Sequence, residues 1–120
     1  MFDHIGINVS DLEASKEFYE KTLKPLGVSL AQEVDGWVGF GEQGKATFWI
    51  SMEGEAHEPM HIAFKAGDRA AVDAFYEAAL DAGAVCNGKP GVRDSYHANY
   101  YGAFVIDPDG HNIEAVCHQP

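Results

Sequence analysis

Three residues of the chain have the types and the phasing to hold a metal ion: His4, His61 and Glu114. His4 and His61 open two copies of one stretch, HIGINVSDLEASKEFYEKTLKPLGV from His4 to Val28 and HIAFKAGDRAAVDAFYEAALDAGAV from His61 to Val85, in a gapless register of 57 residues. In each copy the apolar residues alternate with the histidine. Ile5, Ile7 and Val9 share one face of the first strand, and Met60, Ile62 and Phe64 share one face of the second, so both imidazoles project from the opposite face. On the closing strand Ile113, Ala115 and Cys117 take the apolar side, which leaves Asn112, Glu114 and Val116 on the other. Two imidazoles and a carboxylate converging from three strands form a facial triad. Such a set suits one divalent transition metal (zinc, nickel, manganese or iron) with positions left open for substrate. A carboxylate on an otherwise apolar strand also calls for a compensating charge or metal. The competing structural reading is a pair of hydrogen-bonded strand histidines and a solvated edge carboxylate.

Further groups of the same kind cluster late in the chain. His97 lies among Tyr96, Tyr100 and Tyr101, in or beside a stretch without clear periodicity. It is the candidate catalytic acid–base. Tyr96 and Tyr101 are candidate substrate contacts, as is Arg93, one of only eight cationic residues and able to neutralise an anionic group. Trp37 and Trp49 are candidate walls of the same cup. Tyr19 and Tyr76, at matched positions of the two copies, are expected to pack. His57, His111 and His118 receive no chemical role, and Cys86 and Cys117 read as small buried hydrophobes.

The repeat dictates the elements that position these groups. Unit one, residues 1–53, reads as βαβββ: a strand over Phe2–Val9, then a helix opened by the capping-box pair Ser10 and Glu13 and stopped by Pro25 and Gly27. Strands over Gly27–Val34, Gly36–Gly41 and Ala46–Met52 follow. Residues 54–59 read as a linker. Unit two, residues 60–118, repeats the plan with a helix capped by Asp68, a strand at Ala84–Asn87 and a closing hairpin over Asp107-Pro108-Asp109-Gly110. Matching the turn glycines Gly44 and Gly110 makes unit two nine residues longer, and the surplus falls in Gly88–Asn99. The expected fold is α+β: a single domain whose two βαβββ units build a curved mixed sheet of eight strands, with both helices on its outer face.

Composition narrows the partners. A formal charge of −11 argues against nucleic acid or an anionic membrane, because phosphate binding needs clustered Lys and Arg. No apolar run approaches the ~20 residues of a membrane span. With only two cysteines, no zinc-type spacing and no leader before the first strand, a reduced cytoplasmic protein with a small-molecule substrate is expected.

The stretches Phe2–Leu23 (FDHIGINVSDLEASKEFYEKTL) and Gly102–Val116 (GAFVIDPDGHNIEAV) resemble the vicinal oxygen chelate superfamily. That superfamily includes glyoxalase I, extradiol dioxygenases, fosfomycin- and bleomycin-resistance proteins and methylmalonyl-CoA epimerase. The resemblance spans both units, and DPDGHNIE is its most specific piece. It implies His4, His61 and Glu114 as metal ligands, in agreement with the alternation above, and a homodimer. One departure stands out: glyoxalase I carries a fourth ligand on the last strand of its first unit. Matching the turns puts Phe48 there, and a slip of one residue puts Trp49 there. Neither binds a metal. The expected activity is that of a metal-dependent, glyoxalase-like lyase or isomerase acting on a small oxygen-chelating substrate. The alternatives are an Fe(II)-dependent extradiol-type dioxygenase and a metal-free binding protein of the bleomycin-resistance type.

Overall fold

A computed structural model describes residues 1–55 and 58–120. Of the expected linker, residues 56 and 57 lie outside the described residues. The first unit runs β1 (Ile5–Asn8), α1 (Leu12–Leu23), a short 3-10 turn over Lys24–Leu26, β2 (Ser29–Val34), β3 (Trp37–Glu42) and β4 (Lys45–Ser51). The second runs β5 (His61–Lys65), α2 (Arg69–Asp81), β6 (Val85–Val92), β7 (Tyr101–Ile106) and β8 (Asn112–Cys117). Among the described residues there are two α-helices and eight strands, as the repeat predicts. The strands hydrogen-bond as two mixed sheets of four, one per unit, in the orders β1-β4-β3-β2 and β5-β8-β7-β6. In each sheet the histidine-bearing end meets the closing strand in parallel, and the remaining pairs are antiparallel.

The alternation read from the sequence sets the faces. Ile7, Val38, Phe40, Phe48 and Ile50 from the first sheet are buried in one core with Ala103, Val105, Ile113, Ala115 and Cys117 from the second. Both helices lie against this side, contributing Phe18, Tyr19, Leu23, Val72, Phe75 and Ala79. Each fully buried large apolar side chain contributes about 1.5–3 kcal/mol relative to exposure, so the shared core holds the two units together as one domain. Phe48 and Phe64 meet edge-on across the two units with ring centroids 5.3 Å apart.

Helix α1 starts one residue later than the capping box suggests. Asp11 is its N-cap and accepts from the Ala14 N–H, as Asp68 accepts from Ala71 in α2, while the Ser10 N–H donates to Asp109. Strand β6 runs on to Val92, so the irregular stretch is shorter than expected. Register shifts between Cys86 and Gly88 and between Gly88 and Gly91 break its period and hide it from an alternation test. The DPDG turn also ties the units together. Asp107 accepts from the backbone N–H groups of Asp109 and His111 through Oδ1, and from the Tyr19 hydroxyl of α1 through Oδ2. His111 is buried, and its Nδ1 accepts from the Met60 N–H, so its work is structural. Among the described residues no helix is long and apolar enough to cross a membrane.

Candidate functional site

The second sheet holds the polar cluster. On its face away from the core, Glu114 of the inner strand β8 lies between Ala63 of β5 and Phe104 of β7. Its carboxylate is only 1 % exposed. One oxygen, Oε1, accepts from Nε2 of His61 at 2.8 Å, and the other, Oε2, accepts from the Tyr100 hydroxyl. Burial, and then the hydrogen bond to Glu114, push the Tyr100 hydroxyl well above its ordinary range, so it stays a neutral donor. The place for its ring is made by Gly102, where a Cβ would come within 3.2 Å of both Tyr100 and Glu114 Oε2.

Arg93 closes the far side of this cup. Its Nη1 donates to the Gly91 carbonyl at 2.9 Å and its Nη2 to the Lys89 carbonyl at 2.7 Å. The guanidinium sits 5.4 Å from the centre of the Phe104 ring, and the His61 ring lies 6.1 Å from the same centre.

His4 is not in this cluster. It precedes β1 in the first sheet, is largely exposed, and pairs with Asp3 at 2.7 Å. That pairing, hydrogen bond first, lowers the Asp3 carboxyl. With Gly6, Val34, Trp37 and Trp49 it lines a separate open cavity of about 390 Å³. The two cups belong to different sheets, and among the described residues no three His, Cys, Asp or Glu side chains stand close enough to share a metal. Within one chain the structure brings His61 together with Glu114 and leaves His4 apart, because the histidine-bearing strands end in separate sheets.

The remaining candidates divide by strand phase. Tyr101 points to the helix side, with its hydroxyl on Asp73 and its ring under Arg69, away from Glu114. Tyr100, one residue earlier, is the tyrosine that reaches Glu114. The signal was present: Tyr101 is in phase with buried Ala103 and Val105, so position 100 belongs with the cup residues Gly102 and Phe104. Tyr96 is exposed and packs edge-on against Tyr100 at 4.8 Å. His97 Nε2 is 2.8 Å from Nδ1 of His118, a partner the sequence left without a role, and its Nδ1 accepts from the Asn99 N–H. Both ring nitrogens of His97 are thus engaged in ordering the loop, and neither is aimed at Glu114. Trp37 donates to Glu53 at 2.6 Å, and the Trp49 ring lies over Gly39, where a Cβ would meet it at 2.9 Å.

The donor chemistry of the second cup fits a divalent metal at two positions. Ligand atoms bound at about 2.0–2.2 Å and at right angles around one ion stand about 3 Å apart, close to the observed N–O separation. His61 is also half exposed, so an ion can reach it.

Comparison with known proteins places the whole chain. Residues 1–115 match the model of the Glyoxalase/Bleomycin resistance protein/Dioxygenase superfamily. The crystal structure of a glyoxalase/bleomycin resistance protein from Albidiferax ferrireducens is 31% identical, covers 98% of both chains and superposes with a TM-score of 0.86. A putative glyoxalase from Bacillus halodurans (24% identity, 98% of this chain and 95% of that one, TM-score 0.71) shares the fold. So does a glyoxalase/bleomycin resistance protein/dioxygenase family enzyme from Burkholderia phytofirmans (18% identity, 97% of both chains, TM-score 0.73). No curated protein gives a significant match.

Proposed function

The chain belongs to the Glyoxalase/Bleomycin resistance protein/Dioxygenase superfamily, and on that premise we propose that it is a metal-dependent, glyoxalase-like lyase or isomerase acting as a homodimer on a small oxygen-bearing substrate. The observation that carries this reading is the buried Glu114 carboxylate held 2.8 Å from His61 Nε2. His61 and Glu114 would hold one divalent ion (zinc, nickel, manganese or iron), with His4 of a second copy as third ligand. When bound, that ion supplies Lewis-acid polarisation of substrate oxygens.

The chain's own groups do the rest. Tyr100 holds Glu114 Oε2, so that Oε1 stays turned toward His61. Phe104 and Val116 keep the floor apolar and exclude water, which strengthens polar contacts in the cup. Trp37 and Trp49, beside His4, would face the substrate from the partner's half. The dimer draws support from exposed apolar residues in both units: Phe2, Val34 and Met52 in unit one, and Val85, Val92 and Tyr96 in unit two. His97 and His118 order the loop that carries Tyr100.

One observation favours a second reading, a metal-free binding protein: His61 and Glu114 already satisfy one another, and among the described residues of the chain no third ligand stands beside them. A complementation experiment decides. Untagged wild type should carry about one metal ion per chain by mass spectrometry. His4→Ala and His61→Ala should each carry little, and mixing them after unfolding and refolding together should restore one of the two sites in every mixed dimer. No restoration would remove the shared site. No metal on wild type, even after reconstitution, would leave the binding protein, and iron as the native metal would favour the dioxygenase reaction.

A further inference from the structure

Arg93 is built into the second cup in a way that the metal-ligand reading does not require. Two glycines make its berth: a Cβ at Gly88 would come within 3.2 Å of Nη2 and one at Gly91 within 3.1 Å of Nη1. Two backbone carbonyls, of Lys89 and Gly91, fix its orientation. The loop is anchored at the same residue, since the Arg93 N–H donates to the Tyr100 carbonyl and its own carbonyl accepts from the Tyr96 N–H. The carbonyls take two of the five guanidinium donors and leave three.

Its charge has no formal counterpart. Among the described residues no carboxylate lies in salt-bridge range of Arg93, although acidic residues outnumber basic ones by 19 to 8 in the chain. In a strongly acidic protein an arginine meets a carboxylate easily, and a surface arginine ordinarily does so with little cost. Here a pre-oriented cation is instead held over an aromatic face, partly desolvated, on Phe104, the cross-strand neighbour of Glu114. Phe104 is the geometric link. Its ring lies between the guanidinium and the His61 imidazole, and its strand position is directly across from Glu114. Gly88, at whose Cβ position the guanidinium lies, pairs with Phe104, which pairs with Glu114, so Gly88 and Glu114 stand two strand spacings apart, about 10 Å.

We propose that Arg93 is an anion seat and that the substrate of this cup is a small carboxylic acid. Its carboxylate rests on Arg93 and its reactive part lies over Phe104 toward His61 and Glu114. The proposal rests on reading the second cup as the substrate site. A planar carboxylate matches the fork of donors left on the guanidinium better than a tetrahedral anion does.

The probe is benzoate against benzamide, its neutral isostere, titrated into metal-free protein labelled for observation of arginine side-chain N–H resonances. Benzoate should shift the Arg93 Nε–H signal saturably and perturb Phe104 and His61, while benzamide should bind at least tenfold more weakly. Arg93→Gln should lower benzoate affinity at least tenfold, and Arg93→Lys, which keeps the charge and the fold-compatible length, should fall between. Equal binding of the two probes, no saturable shift with benzoate, unchanged affinity in both variants, or inorganic phosphate binding more tightly than benzoate would each overturn the proposal. Because the titration needs no metal, the two readings fail separately. A benzoate site on a protein that never takes a metal would keep the anion seat and remove the metal-dependent reaction. A metal at Glu114 with no benzoate site would do the opposite.

Discussion

The two halves of the molecule are the same unit built twice, and they differ most at one pair of facing positions. Ile5 pairs with Phe48 in the first sheet as Ile62 pairs with Ile113 in the second, so Trp49 is the counterpart of Glu114. Across the next strand Trp49 faces Gly39 and Glu114 faces Phe104. Volume and charge have been exchanged between neighbours. Unit one places its ring on the closing strand and a glycine beside it, which gives an apolar, indole-lined hollow around His4. Unit two moves the ring to β7 and frees the closing strand for a carboxylate that His61 and Tyr100 can reach. Under the proposed function, identical backbone plans would yield one wall for binding and one for chemistry.

The sharpest way to break that comparison is at the exchanged position itself. Glu114→Gln should reduce metal content from about one ion per chain to near none while keeping the fold, whereas Trp49→Phe should leave it unchanged; elemental analysis of both proteins checks this. Equal losses would mean that the halves are not functionally divided.

A smaller effect is expected at the matched tyrosines. Tyr19 is fully buried and its hydroxyl crosses to Asp107 of the other unit, while the Tyr76 hydroxyl lies by the exposed Cys86. Tyr19→Phe strands a buried carboxylate oxygen and should cost about 1–3 kcal/mol in denaturant unfolding, but Tyr76→Phe should not shift the midpoint measurably. Burial, followed by the Asp107 charge, holds the Tyr19 hydroxyl well above its ordinary value. A raised folded-state value means that this stabilisation is complete below about pH 10, where unfolded tyrosine ionises, and fades as pH rises toward the folded-state value. The gap between wild type and Tyr19→Phe should therefore be flat through neutral pH and narrow only in strong alkali.

Smaller again is the loop, which has no equivalent in unit one. His118→Ala removes the partner of His97 and should speed amide exchange across residues 93–100 roughly two- to tenfold without changing metal content. The least effect is at Cys86, whose thiol is held below its usual value by the Tyr76 hydroxyl and the Gly88 N–H. It should be alkylated before buried Cys117, and roughly twofold more slowly in Tyr76→Phe.

Much of this division was legible in the residues. The 57-residue repeat and the alternation around Ile5, Ile62 and Ile113 gave both βαβββ plans and put His61 and Glu114 on one face. The choice between Phe48 and Trp49 was not legible, because the β3–β4 hairpin has a register shift between Phe40 and Gly41 that matching the turns cannot see. Strand β6 was hidden in the same way by its bulges. The parting of His4 from His61 left no local mark at all. Which sheets face one another depends on packing between units, and alternation records only which side of its own strand a residue occupies. In the sequence Asp107 is a turn former, and only its distant partner on α1 makes it a cross-unit anchor.

The sheet orders carry a consequence for how a metal would come and go. Glu114 belongs to an inner strand, hydrogen-bonded on both sides, whereas His61 opens a five-residue strand at the edge of its sheet. Edge strands fray at a fraction of the free energy of global unfolding. The carboxylate is then the fixed post and the imidazole the swinging gate, so loading and release would run at the pace of edge fraying, with the core left undisturbed.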